Sequence, residues 1–214
     1  MLIFQSILVY GLIIWVMTYF GNIAYKVQYP QGIDVVNMYQ NKRIPFSILL
    51  TKSYYFIPIF VFCFFAAVRF KVGVDCESYK DTFYELAQFG TIVSGASEPG
   101  FMAISRIVAE TTGSHYLLFF ILAFLQISFL YFAIRKKNYA TIYLGVSIML
   151  SGTFLSLMNG MRQNIAACML VTAIPLVLEK GKWIKFFLMT FLAASIHKSA
   201  FLFLPIGLLA YFIL

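Results

Sequence analysis

Four short polar runs interrupt an otherwise apolar chain, and each carries side chains that can bind anions or move protons. In Asn159-Gly160-Met161-Arg162-Gln163-Asn164, four strongly polar side chains fall within six residues. Arg162 and Gln163 open a helical pattern that continues through Ile165-Ala166-Ala167-Cys168. A helix N-terminus offers unpaired amide donors and a positive dipole end, and a guanidinium adds a planar fork of donors. Together they suit phosphate or pyrophosphate. An arginine snorkelling to lipid headgroups is the plain alternative, but it leaves Asn159 and Gln163 unexplained. The run Ser195-Ile196-His197-Lys198-Ser199 places an imidazole and an ammonium among Phe and Leu. A charged imidazole is costly to desolvate, so a neutral, hydrogen-bonded structural histidine is one reading. A neutral imidazole at a water boundary is also a good general base.

The other two runs are less specific. In Arg69-Phe70-Lys71-Val72-Gly73-Val74-Asp75 through Tyr79, Gly73 permits a turn and Asp75 is placed to cap a following helix. Glu77, Asp81 and Glu85 recur every four residues and share one helical face. That is the pattern of a solvated amphipathic helix lying on a membrane, whereas Arg69 and Asp75 stand at the membrane edge, where a binding role competes with a structural one. Ser97-Glu98-Pro99-Gly100-Phe101 has the proline and preceding acid of ordinary helix N-terminal punctuation. The apolar stretch after it, Phe101–Val108, is too short to span a bilayer and is expected to lie in the interface or re-enter the membrane.

The elements that position these runs follow from composition. Of 214 residues, 62% are hydrophobic and 11% charged, against about 45–50% and about 25% for soluble domains. Too few charges exist to cover a soluble surface, and the hydrophobicity excludes disorder. A polytopic, all-α membrane protein of about six to seven spans remains. Its candidate spans are Leu2–Phe20, Tyr54–Val68 (starting near Ile48), Tyr116–Ile134, Tyr139–Met158, Ile165–Leu178 and the broken stretch Trp183–Leu214. This last stretch reads as two short helices meeting at the His197 tip or as one broken helix. Residues 2–20 are apolar for too long, and lack the basic flank, for a cleavable signal. Cys63, Cys76 and Cys168 are too few and too scattered for a disulfide framework or a zinc site.

Alternating the connections sorts the charges. One set holds Lys26, Lys42, Arg43, Lys52, Arg135, Lys136, Lys137, Lys180, Lys182 and Lys185 with only Asp34 and Glu179. The other balances Arg69, Lys71, Lys80, Arg106, Arg162 and Lys198 against Asp75, Glu77, Asp81, Glu85, Glu98 and Glu110. The whole net charge of +8 therefore lies on one side, which the positive-inside rule makes cytoplasmic. The N-terminus is then outside, with an amphipathic or re-entrant segment near 76–110 on the outer face. No basic cluster exceeds three residues, so nucleic acid is not an expected partner. Both histidines and all four polar runs fall outside, which points to chemistry at the outer leaflet. A transporter would spread ionisable groups through its spans.

Taken in order, Arg69-x3-Gly73-x-Asp75-x3-Tyr79, Glu98-Pro99-Gly100-Phe101, Asn159-Gly160-x-Arg162-Gln163-Asn164-Ile165-Ala166 and Ile196-His197-Lys198-Ser199-Ala200 resemble the EpsG-like family of bacterial polysaccharide polymerases, Wzy-type enzymes for exopolysaccharide, capsule or O-antigen. The resemblance covers about residues 60–205. It implies a multi-pass protein of the bacterial cytoplasmic membrane, and one membrane domain over 1–214 that forms the N-terminal part of a longer polymerase. The implied substrate is an oligosaccharide repeat unit on undecaprenyl pyrophosphate, with membrane lipid, a chain-length regulator and a flippase as companions. The implied reaction transfers the growing glycan from its lipid pyrophosphate to the non-reducing end of the incoming unit. Arg162, with Arg69, then fits charge stabilisation on the leaving group. Asn159, Gln163, Tyr79 and Lys198 fit substrate binding, and His197 fits the general base, with Asp75 and Glu98 as rivals. No cofactor is expected, and no metal is required where arginines neutralise the phosphates, although the outer acids could hold one. A flippase for the same lipid-linked sugar, or a ligase-like transferase, is the competing reading.

Overall fold

The computed structural model describes residues 2–29, 51–69, 72–90, 98–134, 140–178 and 182–213. Among these residues every regular element is helical. The elements are α1 (Leu2–Gln28), α2 (Ser53–Ala67), α3 (Cys76–Phe89), α4 (Pro99–Thr111), α5 (His115–Ile134), α6 (Ala140–Leu150), α7 (Thr153–Met158), α8 (Met161–Leu178) and α9 (Trp183–Ile196). A 3₁₀ turn (Lys198–Leu202) then leads into α10 (Phe203–Ile213). Two stretches, Ser6–Val27 within α1 and the whole of α5, are long and apolar enough to cross a membrane, and α2, α6, α8, α9 and α10 are shorter apolar helices.

Several helices are apolar on every side, which lipid permits and water does not. On α2, Ile59, Phe62 and Cys63 enter the core while Phe56, Phe60 and Phe64 form an outward stack with ring centroids 6.0 and 6.5 Å apart. Exposed Ile184, Leu188 and Phe191 on α9 and Ile206, Leu209 and Phe212 on α10 continue the apolar exterior. Inside, α1 packs on α6 and α2, α5 on α2 and α8, and α8 on α9. Small residues set the closest approaches: a side chain at Gly21 would meet the Thr141 backbone at 2.6 Å, and one at Gly145 would meet Met17 Cβ at 2.6 Å.

The first span is longer than its predicted limit at Phe20, since α1 continues to Gln28. The predicted span Tyr139–Met158 is not one helix. It breaks at Ser151–Gly152, where Gly152 takes φ +73° and the Ser151 hydroxyl accepts from the Thr153 amide, and Tyr139 itself lies outside the described residues. The polar tip in Trp183–Leu214 resolves as two short helices, since α9 stops before His197 and α10 starts at Phe203. The described residues of the 76–110 segment form two helices with one buried face each, Tyr79, Phe83 and Leu86 on α3 and Phe101, Ser105 and Val108 on α4. Glu77 and Asp81 are exposed and Glu85 half-buried, in keeping with a solvated face. Ile48, Asp34, Lys42, Arg43, Lys71, Ser97, Arg135, Lys136, Lys137, Glu179 and Lys180 lie outside the described residues.

Candidate functional site

The predicted polar runs meet at one place. The α7–α8 junction supplies Arg162, the start of α4 supplies Glu98, and the turn after α9 supplies His197. Arg162 Nη1 donates to Glu98 Oε2 at 2.8 Å, and His197 Nδ1 lies 3.3 Å from Glu98 Oε1. The second contact has the distance of a hydrogen bond without its alignment, because His197 Nδ1 is buried and lacks a hydrogen-bond partner. One carboxylate thus faces a guanidinium with one oxygen and an imidazole with the other. The Glu98 side chain is only 8% exposed, whereas Arg162 and His197 keep 26% and 24% of theirs. Burial pushes the Glu98 carboxyl upward, but Arg162, a backbone hydrogen bond, His197 and Lys198 together outweigh it and hold the group below the usual carboxylate range. It is therefore an anion and a weak base.

Two close contacts assemble the cluster. The first is at Gly100, where a Cβ would stand 2.5 Å from Ser195 Oγ, 2.9 Å from the Ser195 carbonyl oxygen and 3.0 Å from Ile196 Cδ1. The absence of a side chain lets the first turn of α4 touch the last turn of α9, and this brings Glu98 to His197. The second is at Gly73 (φ +93°), where a Cβ would overlap the Asn159 carboxamide. That contact seats the Gly73–Asp75 turn against the α7–α8 junction. Asp75 does not cap α3 with its side chain, as its position predicted. It has helical backbone angles (φ −86°, ψ −2°) and makes no side-chain cap bond. Its Oδ2 instead accepts the Gly160 amide at 2.9 Å, and this orphan donor of the broken helix is a better partner than an amide inside its own turn.

The remaining candidates occupy distinct positions. The Tyr79 hydroxyl accepts the Arg162 amide at 3.4 Å, and the Arg162 guanidinium carbon stands 5.9 Å from the Tyr79 ring and 5.3 Å from Phe101. Arg162 Nε and Asn159 Oδ1 are buried without hydrogen-bond partners. Arg69 lies beneath the junction. It is buried, and its Nη1 donates to the Ala66 carbonyl at 3.1 Å. Its nitrogens also stand 3.1 Å from Met158 Sδ and 3.0 Å from Met161 Sδ, with Phe119 facing the guanidinium at 4.3 Å. Gln163 and Lys198 are exposed, and Lys198 reaches the cluster only through its charge on Glu98. Among the described residues no group of three or more His, Cys, Asp or Glu side chains is placed to hold a metal ion.

Residue-type reasoning missed several parts of this assembly. Asn164 ties the junction together by offering its amide to the carbonyls of Ser156 (2.6 Å), Asn159 (3.0 Å) and Gly160 (3.2 Å). Phe101 and Gly100 belong to a run that looks like plain punctuation. Gln126 is a polar side chain within the long apolar stretch of α5, and its type there is a signal that could have found it.

The model of one protein family, the EpsG family, matches residues 52–214. The match covers most of the chain and every polar run of the cluster, and the chain belongs to the EpsG family. That membership gives it a polymerase-type role in polysaccharide biosynthesis and a membrane setting. Searches of the curated proteins and of the solved structures found no match.

Proposed function

We propose that this EpsG family member joins lipid-linked oligosaccharide repeat units into polysaccharide, with the Glu98–Arg162–His197 cluster as its reaction centre. The supporting observation is the shared carboxylate, which holds a guanidinium and an imidazole at 2.8 and 3.3 Å from its two oxygens. The donor is the growing glycan on undecaprenyl pyrophosphate, and the acceptor is a sugar hydroxyl at the non-reducing end of the incoming unit. A bond forms between that hydroxyl oxygen and the donor's anomeric carbon. The bond from that carbon to the pyrophosphate oxygen breaks, and the electron pair leaves with the lipid pyrophosphate. The hydroxyl proton passes to a base on the enzyme.

The three candidate bases separate by environment. Asp75 is occupied by the Gly160 amide. Glu98 is held below the ordinary carboxylate range by Arg162 and other donors, so its proton affinity is low. His197 presents one ring nitrogen to Glu98 and can use the other on the acceptor. A carboxylate this close to an imidazole stabilises the imidazolium as it forms. Arg162 supplies charge stabilisation through the guanidinium donors that Glu98 leaves free, at the start of α8, where the helix dipole also favours an anion. Arg69 lends a second positive charge from below. Lys198 and Gln163, both exposed, remain candidates for substrate binding on this reading.

The same reading puts this end of the bundle at the outer leaflet of a bacterial cytoplasmic membrane, with six to seven spans and the N-terminus outside. The net +8 then lies on the inner connections. A flippase supplying substrate and a chain-length regulator are the natural companions. Deleting the gene and sizing surface glycan tests the proposal. Loss of long chains with single repeat units retained supports a polymerase, whereas accumulation of untranslocated precursor would identify a flippase.

A further inference from the structure

We infer that Gln126 is a positioning residue for Arg162, acting through the backbone of the α7–α8 junction. Gln126 is fully buried in the middle of α5, about 16 Å along that helix from His115 at about 1.5 Å per residue. Its Nε2 lies 3.0 Å from the Leu157 carbonyl oxygen and 3.3 Å from the Met161 carbonyl oxygen. Both neighbours are acceptors, which fixes the orientation of the amide: the NH₂ faces the junction. Its Oε1 is buried without a partner, so the polar contribution of this side chain is its donor side.

The two carbonyls bracket the break between α7 and α8. The last carbonyls of a helix have no intrahelical donor, and in a buried site each needs one from elsewhere. The helix that would have supplied a donor to Leu157 is interrupted at Asn159–Gly160, where Gly160 takes φ +43°. Gln126 replaces the missing donor at the carbonyls of the junction, while Asp75 holds its Gly160 amide. The Met161 carbonyl is one peptide from Arg162, and the Met161 sulfur also rests on Arg69. The direction in which Arg162 leaves α8 is therefore set by Gln126 at the preceding carbonyl and by Glu98 at the guanidinium. At this depth little water competes for the carbonyls, so the amide bonds hold the break in one geometry.

This inference rests on the reading that Arg162 binds the donor pyrophosphate. Its test is steady-state kinetics of the full chain in lipid, with the lipid-pyrophosphate donor and the acceptor varied separately. Gln126→Met keeps length and bulk but removes both donor hydrogens. It should raise the donor KM about tenfold with the acceptor KM unchanged. Gln126→Glu, neutral in an apolar surround and able to donate one hydrogen, should recover part of that loss. A fall in kcat alone, with both KM values unchanged in the Met variant, would show a merely structural role and overturn the inference. Should the Met variant fail to accumulate, Gln126→Leu, which also lacks any donor, is read in its place, and an unchanged donor KM there overturns the inference equally. Arg162→Ala separates the two readings. If it leaves the donor KM unchanged, the pyrophosphate assignment is wrong. If it raises the donor KM while the Gln126 variants do not, only the inference falls.

Discussion

At the scale of single residues, the cluster turns on the difference between a fork and a point charge. Arg162 commits one nitrogen to Glu98 and keeps others for a ligand. A lysine could keep the ion pair or meet a phosphate, but it could not span both with fixed geometry. Arg162→Lys should therefore shorten the glycan nearly as severely as Arg162→Ala at equal protein abundance. Full-length glycan from the Lys variant would return Arg162 to headgroup anchoring. His197 has a different signature. His197→Ala should lower turnover roughly 10²–10⁴-fold, the usual contribution of positioned proton transfer, while donor binding stays intact. His197→Gln keeps hydrogen-bonding capacity but loses the basic nitrogen and should not restore it. A fully active Gln variant would remove His197 from proton transfer.

At the scale of elements, the site depends on where helices stop. Glu98 reaches His197 only because α4 begins against the end of α9 at Gly100. In Gly100→Ala the serine hydroxyl could rotate away from the new methyl, but the Ser195 carbonyl could not, so α4 must retreat and the shared carboxylate separates from the imidazole. Overpacking of this kind costs about 1–3 kcal/mol, and turnover should fall by more than the loss in thermal stability explains. Unchanged turnover would show that the α4–α9 contact does not set the site. The limits of sequence reading also belong to this scale. The long apolar runs gave α1, α2, α5, α8 and the two-helix end of the chain, because lipid leaves hydropathy as the dominant signal. The split at Gly152 was not legible, because one glycine inside an apolar run is compatible with a continuous helix. The capping role expected of Asp75 failed because a distant amide, at Gly160, was the needier partner. Glu98 and Arg162 are 64 positions apart, and no local pattern could have paired them. Glu98-Pro99-Gly100-Phe101, one of the two less specific polar runs, provides the carboxylate that Arg162 and His197 share.

At the scale of the whole molecule, Glu98, Asn159, Arg162 and His197 lie at helix ends that meet at one place, and the charge asymmetry of the connections predicts that this place faces the exterior. Cysteines placed at Ser97 and Ser199 should react with an impermeant thiol reagent from outside, and one at Lys137 should not. The reverse pattern would sink both the orientation and the outer-leaflet chemistry. The shared carboxylate has a consequence at this scale too. On the proposed function, an arriving pyrophosphate meets a guanidinium that already carries one counter-ion, since Glu98 holds one of its nitrogens. The anion would share Arg162 with a tethered rival whose effective concentration is fixed by the packing of α4 on α9 rather than by solution. Donor capture would then be weaker than a bare arginine would give. Departure of the spent lipid pyrophosphate would be helped by the carboxylate that stays beside Arg162. In an enzyme that must bind and discard the same anionic headgroup at every addition, such an internal competitor trades tightness for turnover.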